Sequence, residues 1–171
     1  MARRRLSFVE ILMCGAIIIA SAGVVVPTMQ IRALDRMQER VNTDLQTIAS
    51  GIARYVEDTR TFPTGSGGAT TLHYLFTDGS RPANNVLASG PGMHLAEFLE
   101  NGHLAGDSWK GPYLEQKIGP DPWGHAYVVN VNGFFASEER VMVLCCGPNG
   151  QLNTAPSATT AGGDDIMMLI D

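Results

Sequence analysis

The residues that could bind a ligand lie near the C-terminus, where Asp164 and Asp165 follow a loop rich in Thr, Ala, Ser and Gly. Two adjacent acids repel each other unless water or a cation neutralises them. Ca²⁺ binds carboxylate, amide and carbonyl oxygens and accepts about six to eight of them in irregular geometry. Asn149 could add an amide oxygen, and Cys146 or Gly147 a backbone carbonyl oxygen. These residues taken alone leave two interpretations open, an acidic loop exposed to water and a loop that binds Ca²⁺.

The sequence contains no motif of a known catalytic site. It has no EF-hand, H-E-x-x-H, G-x-S-x-G, P-loop or dinucleotide pattern. The histidines are scattered, and His125 is predicted to lie on the surface after a turn. The adjacent Cys145 and Cys146 continue an apolar stretch and should be buried and unreactive. We expect no enzyme; the alternative is a membrane-anchored metal-dependent hydrolase that uses Asp164, Asp165 and a histidine.

An apolar N-terminal segment should anchor the chain in a membrane. Residues 1–5 form a basic leader, and residues 6–29 carry one charge, Glu10. As a helix this segment would be about 36 Å long, enough to cross a hydrocarbon core of about 30 Å. The positive-inside rule places the N-terminus in the cytoplasm and the remainder outside it. A cleaved signal peptide with its site near Ser21 is the alternative, and Glu10 either reaches the interface or pairs with a partner.

Residues 30–60 should continue the same helix in amphipathic form. Their apolar residues recur every three or four positions, which makes one face of a helix. These residues are Ile31, Leu34, Met37, Val41, Leu45, Ile48, Ile52, Tyr55 and Val56. Phe62-Pro63 and the following glycines should end the helix near Asp58–Arg60. The apolar face must pack on something, most simply the part of the chain that follows.

Residues 61–171 should form a globular head of the α+β class, in which the long helix packs on a small antiparallel sheet. Residues 126–131 and 139–146 read as paired strands because they are rich in β-branched residues. Residues 72–76 are expected to form a short helix or turn, and residues 93–104 a second short helix.

The charge of the chain argues against one class of partner. The net charge is −5, and without Arg3, Arg4, Arg5 and Glu10 it is −7, with 9 basic and 16 acidic residues. A negative body of this kind excludes nucleic-acid binding through phosphate neutralisation.

Two stretches carry a resemblance to a known family. The run LSFVEILMCGAIIIASAGVVVP, with Glu10 and Pro27 seventeen residues apart, resembles the N-terminus of type IV pilin-like proteins. The stretch GPYL followed by DPWG at 121–124 is similar to the head of the major pseudopilin of the type II secretion system. Together they cover most of the chain and leave roughly residues 64–93 unmatched.

This resemblance implies a filament subunit with a pilin-like fold. A prepilin peptidase would cut between Arg5 and Leu6, Leu6 would be N-methylated, and its amine would pair with Glu10 of a neighbouring subunit. Pro27 would loosen the helix within the filament. The precursor would be a single-pass inner-membrane protein with a periplasmic head. Its partners would be copies of itself, minor pseudopilins and the inner-membrane assembly platform.

The resemblance also implies a Ca²⁺ site, with departures from the family pattern. In the family pattern an acid is common at the position that Asn149 takes in this chain. Asp164 and Asp165 correspond to the later acids of the pattern, but their spacing differs. Arg5 replaces the usual Gly before the cleavage site. A type IV pilus subunit, major or minor, is the nearest alternative function. A monomeric anchored binding module is a further one.

Overall fold

The structure is a computed structural model that describes residues 8–63, 72–83, 91–102 and 106–170, with the backbone alone for residues 8–31 and 106. The first element is a long helix, α1, Phe8–Thr59. The side chains of the predicted transmembrane half, residues 6–29, fall outside the described part. Among the residues that are described, none of the helices has the length and apolar character needed to cross a membrane.

The second half of α1 forms one side of the main core. Five residues of the predicted apolar face are buried: Val41, Leu45, Ile48, Ile52 and Tyr55. Burying one such aliphatic side chain contributes about 1.5–3 kcal/mol. Leu34 departs from the prediction, because 57% of its surface is exposed. Among the described residues, the fully buried part of this face begins at Val41.

The C-terminal end of α1 lies where the sequence predicts it. The Thr59 hydroxyl donates a hydrogen bond to the Tyr55 carbonyl at 2.7 Å, and Arg60 adopts a positive φ of 54°. A residue with positive φ cannot continue a right-handed helix.

Five short strands form one sheet in the order β2-β1-β3-β4-β5. Their bounds are β1, Tyr74–Phe76; β2, Gly92–His94; β3, Val128–Asn130; β4, Met142–Cys145; and β5, Ile166–Leu169. The predicted antiparallel pairing of β3 with β4 is confirmed, with Val129 opposite Val143. The sheet is mixed rather than antiparallel throughout, because β1 pairs in parallel with β2. Residues 77–91 supply the long return connection that a parallel pair needs.

One local prediction in the head is wrong, and another gives the right type of element with different bounds. Residues 74–76, expected in a helix or turn, form β1 between β2 and β3. The helix expected over 93–104 is one turn, α2, Ala96–Leu99, because β2 takes the residues just before it. Short apolar runs do not distinguish strand from helix by periodicity, so pairing with β3 decided the first case.

The two faces of the sheet bury different clusters. Val129, Val143 and Cys145 belong to the same core cluster as the buried face of α1. Val128, Leu144 and Cys146 pack with Leu152 on the other side. Alternate residues of a strand point to opposite faces, so the adjacent cysteines separate between the two clusters.

Candidate metal centre in the C-terminal loop

The loop that joins β4 to β5 contains every predicted metal ligand. Cys145 of β4 lies opposite Ile166 of β5 in the antiparallel register. This pairing brings the start of the loop, at Cys146, beside its end, at Asp165. The connection thus folds back on itself over residues 146–165.

Asp164 lies against the first turn of this loop. Its Oδ2 accepts a hydrogen bond from the Asn149 amide at 3.1 Å, and the side-chain amide of Asn149 donates to its Oδ1. A Cβ on Gly147 would lie 2.8 Å from the Asp164 Oδ2 and would also collide with the Asp164 carbonyl oxygen. With its φ of +62°, Gly147 is the residue type that this close approach requires.

Asp165 is buried, with 6% of its surface exposed. Its Oδ2 accepts three hydrogen bonds: from the Asn153 amide at 2.8 Å, the Thr154 amide at 2.7 Å and the Thr154 hydroxyl at 2.6 Å. Its Oδ1 is also buried and has no hydrogen-bond partner among the described residues. A buried acceptor left unsatisfied costs about 1–3 kcal/mol, and a cation would remove that cost.

Asn149 and Asn153 complete the polar side of the loop. The side-chain nitrogen of Asn149, Nδ2, also donates a hydrogen bond to the Asn153 Oδ1 at 3.2 Å. This nitrogen therefore lies between an Asp164 oxygen and an Asn153 oxygen. A cation could bridge the same two oxygens. The Asn149 Oδ1 accepts from the Gln151 amide at 2.6 Å. Asn153 was not among the predicted ligands, although its amide side chain in the same loop marks it as a possible source of an oxygen ligand.

The loop holds donor atoms of the type that Ca²⁺ accepts. Carboxylate and amide oxygens are present, and one buried carboxylate oxygen has no hydrogen-bond partner among the described residues. Asn149 is exposed to water, whereas Asp165 is buried. The backbone carbonyl of Cys146 stays a predicted ligand.

The DPWG motif forms the turn beside this loop. The Asp121 Oδ1 accepts hydrogen bonds from the amides of Trp123 at 2.9 Å and His125 at 2.8 Å, which closes the turn. Trp123 is partly buried and packs against the main core cluster. His125 is not a surface residue: 20% of its side chain is exposed, because Gly150 of the loop lies against its ring.

The paired cysteines are buried, as the sequence predicts. Burial raises the pKa of Cys146 to about 12 and raises the pKa of Cys145 as well. Both thiols are therefore protonated at neutral pH, which makes them poor nucleophiles.

The predicted assembly and processing residues lie outside the described residues or side chains. Arg5 and Leu6 precede the described part of the chain, and for Glu10 and Pro27 the backbone alone is described. Their roles stay predictions.

Comparison with known proteins finds a similarity in part of the head. Residues 92–162 match the family model of type II secretion system protein G. The matched region runs from β2 through the DPWG turn and most of the β4–β5 loop, and ends two residues before Asp164. No curated protein and no solved structure matches the chain. Over residues 92–162, the chain is therefore similar to type II secretion system protein G.

Proposed function

We propose that the chain is a structural subunit of the type II secretion pseudopilus, of the major pseudopilin type, and that it assembles through α1. The family match over residues 92–162 carries this proposal. Two features favour a secretion pseudopilin over a type IV pilus subunit: the DPWG motif, which lies in this region, and Asp164-Asp165-Ile166, which follows it.

The surface of α1 supports assembly through this helix. Its apolar positions continue toward the N-terminus beyond the residues that the head buries, and Leu34 is 57% exposed. An exposed apolar side chain in line with a buried face is a natural contact for a second subunit. In a filament the apolar segments of neighbouring subunits would bury one another.

In this proposal the precursor is held in the inner membrane by residues 6–29, with the head in the periplasm. Glu10 would be stabilised by the N-terminal amine of a neighbour, which would set the axial register of the filament. The negative head would bind Ca²⁺ in its C-terminal loop and present it at the filament surface. Minor pseudopilins and the assembly platform would be the further partners.

Replacing Glu10 by Ala tests the assembly step. We expect the variant to be produced and inserted in the membrane, but to form no pseudopili and to support no secretion in a strain that lacks the native subunit. Electron microscopy of overproduced filaments and an assay of secreted protein measure the two results.

Glu57→Ala is the matched control, because Glu57 is an exposed acid of the same helix. It should assemble and secrete normally. Normal filaments from the Glu10→Ala variant would contradict the proposed assembly and favour a monomeric anchored module.

A further inference from the structure

A second group of ligand atoms lies between the DPWG turn and the end of β4. One side-chain atom each from Asp121, His125 and Cys146 lies within 4.8 Å of the other two. The His125 Nδ1 is 3.7 Å from the Asp121 Oδ2. Ligand atoms around a tetrahedral zinc ion, each about 2.0–2.3 Å from the metal, are about 3.3–3.8 Å apart. The Asp121–His125 distance lies in this range, and the other two distances are at most 4.8 Å, so small side-chain movements would bring all three atoms around one ion.

The turn leaves one oxygen of Asp121 available. Its Oδ1 is committed to the two backbone amides that close the turn. Its Oδ2 accepts a single hydrogen bond, from the Cys145 thiol at 3.2 Å. Asp121 is 3% exposed, so this carboxylate is held by the fold and shielded from solvent.

The ring of His125 is oriented with one nitrogen facing inward. Its Nδ1 is buried and has no hydrogen-bond partner within the described part of the chain. On the other side of the ring, a Cβ on Gly150 would lie 2.8 Å from Nε2. The close backbone of Gly150, with φ +70°, limits rotation of the ring. An imidazole nitrogen that is buried and unpaired is available as a metal ligand.

We propose that Asp121, His125 and Cys146 bind a zinc ion through one oxygen, one nitrogen and one sulfur atom. Zn²⁺ accepts this mixed set, with water in the fourth position, whereas Ca²⁺ binds oxygen ligands. Binding displaces the thiol proton of Cys146 to solvent. The ion links the DPWG turn to the end of β4, so its role is structural, and it is distinct from the Ca²⁺ loop.

Metal binding to the full chain, purified in detergent with saturating Ca²⁺ present, tests this proposal. Co²⁺ serves as the spectroscopic probe, because a cobalt–thiolate bond gives a charge-transfer absorption that oxygen ligands do not give. We expect this absorption in the wild-type protein and its loss on addition of Zn²⁺. Zn²⁺ affinity, measured against a chromophoric chelator, should fall by about 100-fold or more in His125→Gln and in Cys146→Ala, because even partners outside the coordination sphere contribute about 10–100-fold.

His94→Gln is the matched control. His94 forms the other described His–Asp pair, with its Nε2 2.9 Å from the Asp78 Oδ1, but it does not belong to the three-ligand group. The Zn²⁺ affinity of the His94→Gln variant should equal that of the wild type. Cys146→Ala keeps its backbone carbonyl, so it should also keep any stabilisation by Ca²⁺, which shows that the variant is folded.

Two results would overturn the zinc site. One is a wild-type Co²⁺ complex without thiolate charge-transfer absorption, which decides the question even if the variants do not fold. The other is a Zn²⁺ affinity that stays within threefold of wild type in His125→Gln and Cys146→Ala.

Discussion

At the scale of single residues, the two adjacent acids of the C-terminal loop have different surroundings. Asp164 is partly exposed and hydrogen-bonds to Asn149, whereas Asp165 is buried and its Oδ2 is held by Asn153 and Thr154. Only Asp165 has a buried oxygen without a partner among the described residues. If the loop binds Ca²⁺, Asp165 should contribute more to its affinity.

Removal of Ca²⁺ should therefore destabilise the protein. A ligand at 100 times its Kd that binds only the native state stabilises it by about 2.7 kcal/mol, which is a rise of several degrees in Tm. We expect this difference between millimolar Ca²⁺ and EGTA in the wild type, and none in Asp165→Asn. Thermal unfolding followed by circular dichroism measures both.

Asp107→Asn is the control for charge alone, because Asp107 is an exposed acid elsewhere in the head. It should keep the full Ca²⁺ effect. Asp164→Asn should show a reduced effect and replaces Asp165→Asn if the latter does not fold. A wild-type Tm that is equal in Ca²⁺ and EGTA would remove the calcium part of the proposed function.

At the scale of elements, α1 packs on the sheet through apolar side chains and through a hydrogen bond. The Tyr127 hydroxyl, next to β3, donates a hydrogen bond to the Asp44 Oδ2 at 2.7 Å. Asp44 is partly buried and lies at the edge of the contact. Burial raises the pKa of Tyr127, so the phenol stays a donor at any physiological pH.

Truncation of the buried face of α1 should be costly. Ile48 is fully buried, and Ile48→Ala should lower the free energy of unfolding by about 2–5 kcal/mol through lost contacts and the remaining cavity. Urea unfolding of the full chain in detergent measures the loss. Ser50→Ala, at an exposed position two residues along the same helix, should change stability by less than about 0.5 kcal/mol. Equal effects of the two substitutions would contradict the packing of this face.

At the scale of the whole molecule, two sets of paired charged side chains join distant segments of the head. The Lys110 ammonium is 2.9 Å from the Asp58 Oδ1 at the end of α1. Asp78, after β1, contacts Lys117 at 2.7 Å and His94 at 2.9 Å. The hydrogen bond from Lys110 lowers the pKa of Asp58, and those from Lys117 and then His94 lower the pKa of Asp78.

These pKa shifts predict a loss of stability in acid. A carboxyl group whose pKa is lower in the folded state contributes its full stabilisation above its unfolded pKa, near 3.8. That contribution disappears as the pH falls through the lower, folded value. The Tm of the wild type should fall between about pH 5 and pH 2.5, and the fall should be smaller in the Lys110→Ala/Lys117→Ala double variant.

Arg54→Ala is the control for this pH series, because Arg54 is an exposed base of α1. It should retain the acid dependence of the wild type. The contribution of each exposed pair is small, since water and salt screen it. An unchanged acid dependence in the double lysine variant would show that other groups determine it.

The sequence by itself determined the elements that rest on local periodicity. The α1 face from Val41 to Tyr55 repeats every three or four residues, and β3 and β4 are β-branched runs, so each was predictable without the rest of the chain. The DPWG motif was also recognisable, and the family match over residues 92–162 agrees with it.

Only the tertiary structure decided the elements and groups that depend on residues far apart in the chain. Residues 74–76 become the strand β1 because β3 pairs with them, and β5 was not predicted because its partner is β4. The same β4–β5 pairing brings Cys146 next to the end of its own loop. Packing of the loop against the DPWG turn then turns His125 inward, beside Asp121 and Cys146. The periodicity of the side chains shows which face of a segment is apolar, but it does not show which other segment will cover that face. The contact between the two segments determines whether a polar group is buried and which partners it has.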